Sequence, residues 1–311
     1  MADKIATRDA YGKALAEFGD TYDFIVMDAD LSGATKTNTF SKKFPERFFN
    51  CGIAEGNMVT TAAGIATTGK TVFASTFAVF ASGRAFEQIR NSVAYPNLNV
   101  KIGATHAGIS VGEDGASHQA IADMAIMRAL PNMVVLNPAD ATETKFAIKA
   151  AIEHNGPVYI RLGRPAVPVL FDEADYNFEL GKGVTLADGN DITIVSTGLM
   201  TSEAVKAVET LKGEGINARL VNIHTIKPID KDIIIKAAKE TGHIITVEEH
   251  SVIGGLGGAV AEVLCEECPC KLTRMGLNDV FGQSGKSDEL IELYGLTDKH
   301  IVAKVKEILG K

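Results

Sequence analysis

Residues 100–136 read VKIGATHAGISVGEDGASHQAIADMAIMRALPNMVVL, and this one segment already indicates the fold class. The apolar runs Val100–Gly103 and Met133–Leu136 predict buried strands. Between them, Gln119–Leu130 has helical spacing and follows a loop rich in glycine and polar residues. A strand, a helix and a second strand in this order are typical of a βαβ unit in a parallel sheet.

The same alternation of strands and helices continues on both sides of this unit. Further strands are predicted at Phe24–Met27, Thr71–Phe73, Val158–Ile160, Ile192–Val195, Arg219–Asn222, Ile244–Val247 and Leu272–Met275. Helical patterns are predicted at Arg8–Phe18, Glu55–Thr68, Gly83–Tyr95, Ala141–Glu153, Thr201–Gly213, Lys231–Thr241 and Gly257–Cys265, and from Asp288 and Asp298 onward. We therefore expect an α/β chain of two domains, each an open, mostly parallel sheet flanked by helices.

The boundary between the domains is expected where the periodicity stops. Pro165, Pro168 and the acidic stretch Phe171–Glu179 show no sustained period, as is typical of a connector. We place the first domain at residues 1–165, the linker at 166–190 and the second domain at 191–311.

Length and charge exclude several classes of protein. The chain has 311 residues, a net charge of −8 and no long run of Lys or Arg, so we expect no nucleic-acid partner. The most apolar stretch, Val72–Ala81, is about half the roughly 20 residues of a membrane-spanning helix. The first residues lack the apolar segment of a secretory signal. We expect a cytoplasmic protein that binds no membrane.

The cysteines indicate neither a disulfide framework nor a metal site. Cys51, Cys265, Cys268 and Cys270 are too few and too unevenly spaced for a set of disulfides. The last three have the spacing of part of a metal site, but no fourth cysteine or histidine follows nearby. We expect reduced thiols and no metal, and the role of these cysteines stays open.

Polar loops follow several of the predicted strands, and ligands of open α/β sheets bind at the carboxyl ends of strands. The loop after Phe24–Met27 contains Asp28 and Asp30, which fits either a ligand loop or a solvated turn. The loop that contains His106 and His118 is the richest. Its two histidines, two carboxylates and glycines can converge on a small polar ligand.

Three other features have both a functional and a structural interpretation. Glu55 begins a helix of small apolar residues, where its carboxyl either holds a proton or complements the helix dipole. Phe77 and Phe80 form either part of the core or a shelf for a flat ring. Arg161 ends the strand Val158–Ile160 and either binds a phosphate or forms an ion pair with the linker.

Taken in order along the chain, these motifs resemble the C-terminal half of thiamine-diphosphate-dependent transketolases. The matching segments are Gly52-Ile-Ala-Glu55, Thr76-Phe77-x-x-Phe80, Arg84-Ala-Phe-Glu-Gln-Ile-Arg90, Gly112-Glu-Asp-Gly-Ala-Ser-His118-Gln119, Leu130-Pro-Asn-Met133, Val247-Glu-Glu-His250 and Gly254-Gly-Leu-Gly-Gly258. The first five match the pyrimidine-binding domain and the last two the smaller C-terminal domain. The resemblance covers essentially the whole chain and implies thiamine diphosphate as the cofactor.

The resemblance also implies roles for individual residues. Glu55 matches the carboxyl that hydrogen-bonds the aminopyrimidine ring and drives its imino tautomer, and His118 matches a histidine that binds substrate and transfers a proton. The implied cofactor-binding residues are Asp30, Glu55, Phe77 and Phe80. The implied substrate-binding residues are Asp114, which reads a sugar hydroxyl, His118, and a phosphate clamp of Arg8, His106 and Arg161. Ala34, Gly56 and Gly83 depart from the family pattern of a serine, a histidine and a third aromatic residue.

Part of the family's active site has no counterpart in this sequence. No Gly-Asp-Gly string, the family's site for the diphosphate and its metal, occurs in these residues. The resemblance therefore implies the C-terminal subunit of a two-chain transketolase. An N-terminal subunit would hold the diphosphate and its Mg²⁺ or Ca²⁺, and the assembly would be an α2β2 heterotetramer.

The implied reaction moves a two-carbon ketol group between sugar phosphates. The donor would be a ketose phosphate such as xylulose 5-phosphate and the acceptor an aldose phosphate such as ribose 5-phosphate, in the pentose phosphate pathway. Three alternatives remain. They are a chain like 1-deoxyxylulose 5-phosphate synthase, a beta-type subunit of a 2-oxo-acid dehydrogenase, and a non-catalytic subunit for assembly or regulation.

Overall fold

The computed structural model describes residues 3–311, which form two α/β units and a small two-stranded sheet. The strands are β1 (Lys4–Ala6), β2 (Phe24–Asp28), β3 (Phe48–Asn50), β4 (Thr71–Phe77), β5 (Val100–Thr105), β6 (Val134–Leu136), β7 (Val158–Arg161), β8 (Ala166–Pro168), β9 (Val184–Ala187), β10 (Ile192–Ser196), β11 (Ala218–Asn222), β12 (Thr225–Lys227), β13 (His243–Ser251) and β14 (Lys271–Leu277).

The helices connect these strands. They are α1 (Thr7–Phe18), α2 (Ser32–Thr35), α3 (Asn38–Lys43), α4 (Glu55–Ala66), α5 (Ala78–Ser82), α6 (Phe86–Gln88), α7 (Asp123–Arg128), α8 (Ala141–Glu153), α9 (Met200–Gly213), α10 (Lys231–Thr241), α11 (Leu256–Glu267), α12 (Ser287–Leu293) and α13 (Asp298–Leu309). Pro45–Arg47 and Ile109–Val111 form single 3-10 turns, and Ile89–Ala94 is π-helical.

The first sheet has seven strands in the order β12-β6-β7-β5-β4-β2-β3. All neighbours are parallel except the edge strand β12, which runs antiparallel to β6. The sequence predicts a sheet built from the first part of the chain alone, whereas β12 comes from the second part. Three residues are too short to show a strand period, so the sequence gives no sign of this pairing.

Helices cover both faces of this sheet, which explains why its central strands are apolar throughout. Alternate side chains of β4 show the division. Phe73 packs with Tyr11 of α1 and Ile148 of α8 on one face, whereas Val72 packs with Met58 of α4 on the other. The loops at the carboxyl ends of the strands are thereby held on a rigid support.

The second sheet has five strands in the order β14-β13-β10-β11-β9, with only the edge strand β9 antiparallel. Helices α9 and α13 pack on one face, and α10 and α11 pack on the other. The apolar core on the α10 and α11 side is continuous with the core of the first sheet, because Val195 and Val221 belong to the same cluster as Val72. The two sheets therefore pack as one body.

The predicted two-domain α/β fold with mostly parallel sheets is confirmed. Two helices differ from their predicted extent. The segment predicted as one helix over Gly83–Tyr95 is divided into α6 and a π-helical turn, and the helix predicted from Gln119 begins only at Asp123. Strand β4 continues to Phe77, so the aromatic side chain at its end is fixed by the sheet.

Residues 3–311 contain neither a membrane-spanning helix nor a cluster of metal-binding side chains. None of the helices there combines the length and the apolar character that crossing a membrane requires. No three His, Cys, Asp or Glu side chains in that part of the chain are grouped to hold a metal ion, and the four cysteines are free thiols.

Candidate active site

The carboxyl ends of three adjacent strands bring most of the predicted site residues together. Strands β5, β4 and β2 are neighbours in the first sheet, and Phe77 at the end of β4 stands opposite Thr105 at the end of β5. The loop after β2 begins with Ala29 and Asp30. Because the three strands are parallel, their following loops lie at the same edge of the sheet.

Aromatic rings form a stack at this edge. Phe77 lies against the His106 ring with 3.9 Å between the ring centroids and is stacked on Phe80 at 5.6 Å. His118 meets Phe80 edge-on at 5.4 Å. We call Phe77 and Phe80 the aromatic shelf. The sequence left open whether these two rings serve the core or a ligand, and the structure places both histidines of the polar loop against them.

His106 is neutral and has a defined tautomer. Burial and the positive charges of Arg8, Arg164 and Lys36 lower the pKa of His106 to about 3. Its Nε2 lies 2.9 Å from Nη1 of Arg8, and its Nδ1 lies 2.9 Å from Oγ1 of Thr105. Because a guanidinium only donates, Nε2 accepts and the ring proton is on Nδ1.

A group of cations lies beside this histidine. Arg8 also donates to the carbonyl oxygen of Ala34, at 3.2 Å. Arg164 is close enough that its charge lowers the pKa of both Arg8 and His106, although burial is the larger cause for both. It donates to Glu113 Oε2 at 2.9 Å and keeps 35% of its side chain exposed. Arg8 and Arg164 thus present two guanidinium groups at the sheet edge.

Arg161 does not reach this edge, and this corrects its predicted place in the phosphate clamp. Its side chain is only 2% exposed, and Nε donates to Asp123 Oδ2 at 2.9 Å. Nη2 donates to the carbonyl oxygens of Ala120 and Glu249. The guanidinium is therefore buried and held inside the protein through Nε and Nη2. Arg164, which sequence reasoning does not single out, lies three residues later in Gly163-Arg164-Pro165, the turn that leaves the sheet edge.

Glu55 begins α4 and is 4% exposed. Its Oε1 lies 3.3 Å from Nη1 of Arg84, whose guanidinium lies 4.1 Å above the Phe80 ring. Arg84 therefore connects the Glu55 carboxyl to the aromatic shelf. Immediately before the helix, the side chain of Ile53 is 77% exposed.

The two aspartates after β2 have different surroundings. Asp28 is buried and accepts hydrogen bonds from the backbone of Leu31 and from the hydroxyls of Thr35 and Thr37 at 2.6–2.8 Å. Burial raises its pKa although these hydrogen bonds oppose the shift. Asp30 is exposed and accepts from Asn50 at 2.9 Å. Asp28 thus organises the loop, and Asp30 is the carboxylate that stays accessible.

Asp114 and His118 stand in the loop of residues 106–119. Asp114 is exposed, and His118 is half-buried with Nδ1 2.9 Å from the Ser117 hydroxyl. The loop turns at Gly108, Gly112 and Gly115, which have φ of +79°, +94° and +71°. Side chains other than glycine rarely adopt such φ values, so these glycines fix the course of the loop.

Gly56 and Gly83, which depart from the family pattern, differ in how much space the fold leaves for a side chain. A Cβ at Gly83 would stand 2.8 Å from the carbonyl oxygen of Val79, so an aromatic residue there requires a backbone shift. A Cβ at Gly56 would meet only the side chain of Gln88, at 3.4 Å. Position 56 therefore has room for a side chain, and position 83 does not.

Comparisons with known proteins agree with this geometry. The transketolase pyrimidine-binding domain family matches residues 3–169, and the transketolase C-terminal domain family matches residues 181–301. A putative transketolase C-terminal section of Methanocaldococcus jannaschii is 55% identical over 98% of this chain and 96% of its own length. A 6-deoxy-6-sulfo-D-fructose transketolase subunit of Clostridium sp. is 44% identical over 97% of this chain and 94% of its own length.

A solved structure supports the same relationship. The chain superposes on a split gene transketolase, described as an inactive beta4 tetramer, with a TM-score of 0.92 and 57% identity. The match covers 98% of this chain and 99% of the other.

Proposed function

Because this chain belongs to the transketolase family, we propose that it is the C-terminal subunit of a two-chain cytoplasmic transketolase. One observation carries the proposal. At a single sheet edge, the aromatic shelf has a carboxyl, Glu55, on one side and two guanidinium groups, Arg8 and Arg164, with His106 on the other. This arrangement suits a flat ring beside a phosphorylated sugar.

The residues at this edge fit the aminopyrimidine end of thiamine diphosphate. The aromatic shelf supplies two stacked rings, 5.6 Å apart, and aromatic rings of this kind suit contact with a flat heterocycle. The Glu55 carboxyl can hydrogen-bond a ring nitrogen, and Asp30 offers an accessible carboxylate at the rim. The diphosphate and its Mg²⁺ or Ca²⁺ are assigned to an N-terminal partner subunit, because the Gly-Asp-Gly string that holds them in the family does not occur here.

When bound, thiamine diphosphate supplies the covalent chemistry of ketol transfer, and the chain supplies positioning and proton control. The Glu55 carboxyl would hydrogen-bond the ring nitrogen. His118 moves a proton at a sugar hydroxyl, and Asp114 hydrogen-bonds another. His106 is neutral at physiological pH, so it accepts from Arg8 and orients that guanidinium without adding charge.

Arg8 and Arg164 are assigned to the substrate phosphate. A guanidinium binds phosphate oxygens in a bidentate, charge-assisted geometry. We therefore propose ketol transfer from a ketose phosphate such as xylulose 5-phosphate to an aldose phosphate such as ribose 5-phosphate, in the pentose phosphate pathway. The Clostridium relative is named for a sulfo sugar. A sulfonate is also an anion that two guanidinium groups can bind, so sulfo sugars are a second candidate substrate class.

The partner is assigned to the surface next to Glu55. Phe49 and Ile53 are 47% and 77% exposed there, although large apolar side chains are usually buried. We propose that the N-terminal subunit covers them and completes the site in an α2β2 assembly.

A reconstitution assay tests the proposed function. The purified chain is incubated with thiamine diphosphate, Mg²⁺, xylulose 5-phosphate and ribose 5-phosphate, with and without the polypeptide that copurifies from the source cells. We expect turnover only with that polypeptide. Turnover of a 2-oxo acid, with no turnover of any phosphorylated or sulfonated sugar, would instead support one of the sister families.

A further inference from the structure

The loop of residues 106–119 is fixed at its base by groups from the second domain. The backbone N–H of Ser110 donates to Oε2 of Glu249, on β13, at 3.2 Å. At the other end of the loop, Nε2 of Gln119 donates to the carbonyl oxygens of Ile109 at 3.1 Å and Gln283 at 3.0 Å. Gln119 therefore ties the two ends of the loop to each other and to the segment that follows β14.

These contacts are buried and closely packed. Ser110, Gln119 and Glu249 are each at most 4% exposed. Gly108 has a positive φ, and the Glu249 carboxylate fills the space where a Cβ would stand. The hydroxyl of Ser287, at the start of α12, donates to the carbonyl oxygen of Ser110 at 2.6 Å. The loop base is thus held through both backbone groups of Ser110.

Arg161 completes this base. It donates to the carbonyl oxygen of Ala120, just after the loop, and to the carbonyl oxygen of Glu249. Asp123 holds the guanidinium in place. The arginine that the sequence suggested for phosphate binding therefore links the end of the loop to the strand that holds the start.

We propose that Glu249 is a positioning residue that sets where Asp114 and His118 stand, with Gln119, Ser287 and Arg161 as its supports. This inference rests on the proposed function of the loop. Asp114 and His118 lie at the accessible part of the loop. The hydrogen bond of the His118 ring is to the hydroxyl of its neighbour Ser117, within the loop itself. The second domain, which holds none of the proposed substrate-binding residues, would thus control their geometry.

The chain offers a matched control next to Glu249. Glu248 is equally buried on the same strand, but its carboxylate accepts from the backbone N–H groups of Leu256 and Gly257, within the second domain. Glu249→Met and Glu248→Met each replace one buried carboxylate by an apolar side chain of similar volume. Only the first removes a contact to the loop. Glu249→Gln keeps an oxygen that can accept from Ser110, so it serves as the conservative variant.

The test combines hydrogen exchange with steady-state kinetics. Exchange of the 106–119 backbone is measured on the whole chain, and kcat and KM for xylulose 5-phosphate are measured on the reconstituted complex. For Glu249→Met we expect faster exchange in the loop and kcat/KM lowered about tenfold or more, because small misplacements of reacting groups are costly. Affinity for thiamine diphosphate is expected to stay unchanged. Glu249→Gln should recover most of kcat/KM, and Glu248→Met should match the wild type in both readouts.

The outcomes separate this inference from the proposed function. Unchanged loop exchange in Glu249→Met, or equal loss of kcat/KM in Glu248→Met, overturns the positioning role. If Glu249→Met does not fold, Ser287→Ala takes its place, because it removes a half-buried hydroxyl from the same loop base. It must then show faster exchange in the loop and a lower kcat/KM, both by smaller amounts. Absence of sugar turnover in the wild-type complex overturns the proposed function itself, and the exchange result still decides whether Glu249 orders the loop.

Discussion

The two sheets use their carboxyl edges in opposite ways. At the edge of the first sheet, Asp30 and Asp114 are exposed and His118 is half-buried. At the edge of the second sheet, polar groups turn inward to the first domain. Asn222 donates to Glu143 at 2.7 Å, and Glu249 accepts from Ser110. Two similar α/β units thus divide the work, one forming a candidate site and the other holding its loops.

The comparison shows why residue type alone does not identify a site. Arg161 and Arg164 lie three residues apart at the end of β7, and both are cations suited to phosphate. Arg161 is buried in an ion pair with Asp123, at the start of α7. Arg164 lies in the turn beyond the strand and stays partly exposed. The alternation of side chains along a strand and the end of that strand decide which arginine stays exposed.

The largest effect is expected for the carboxyl at the first sheet's edge. Glu55→Ala should lower kcat of the reconstituted complex by about 10²–10⁴-fold, the usual contribution of a positioned proton-transfer group. The melting temperature should hardly change, because the described partner of Glu55, Arg84, is half-exposed and can be solvated. Glu46→Ala, at an exposed glutamate, is the control. Activity of Glu55→Ala equal to this control would remove Glu55 from the site.

The next largest effect concerns the interior support. Arg161→Ala should lower the free energy of unfolding by about 3–5 kcal/mol, because the buried Asp123 carboxylate loses its charged partner. Urea unfolding of the isolated chain measures this. A stability equal to the wild type, with only KM for sugar phosphates raised, would return Arg161 to the phosphate clamp.

Arg164→Ala is expected to behave in the opposite way. It should raise KM for phosphorylated sugars about 10–100-fold, which corresponds to the loss of a charge-assisted hydrogen bond of about 1.5–3 kcal/mol. The free energy of unfolding should stay near the wild-type value, because the ion pair with Glu113 is exposed. KM is compared between phosphorylated and unphosphorylated donors. An equal change for both would argue against a phosphate contact.

The smallest effect is a pH dependence shared by the two regions. Burial lowers the pKa of His106 to about 3 and that of His224, beside the second sheet, to about 4. Both are neutral in the folded chain, whereas the unfolded chain binds protons below about pH 6.5. The contribution of these two histidines to the free energy of unfolding should therefore fall as the pH drops from about 6.5 and stay level above it.

Single variants show how much each histidine contributes to the pH dependence of the unfolding free energy. His106→Asn and His224→Asn should each make the fall in unfolding free energy below pH 6.5 less steep, and the two changes should add, because the residues lie in separate places. An unchanged slope in either variant would mean that the histidine titrates normally in the folded chain.

Much of the fold could be predicted from the sequence, because long apolar strands and amphipathic helices have strong periods. Strands such as β2, β5 and β7 lie where the pattern placed them, to within two residues. The short strands β1, β3, β8, β9 and β12 could not be predicted, since three or four residues show no period and these lack the apolar run that marks β6 and β7. The helix predicted from Gln119 starts late because Gln119 is used to close the loop.

The candidate site could be predicted in part. The loops after β2, β4 and β5 were identified because ligands of parallel sheets bind at strand ends. The misplacement of Arg161 arose because a strand end does not reveal which side chain is covered by a helix. The role inferred for Glu249 could not be predicted either, because its contact to Ser110 joins residues 139 positions apart.

A structure of the reconstituted complex with a bound ketose phosphate tests the central claim most directly. We expect the phosphate within hydrogen-bond distance of the Arg8 and Arg164 guanidinium groups, with the sugar beside Asp114 and His118 and the pyrimidine ring on the aromatic shelf. A phosphate bound to residues of the second sheet, or a sugar that leaves Arg8 and Arg164 without contact, would contradict the account.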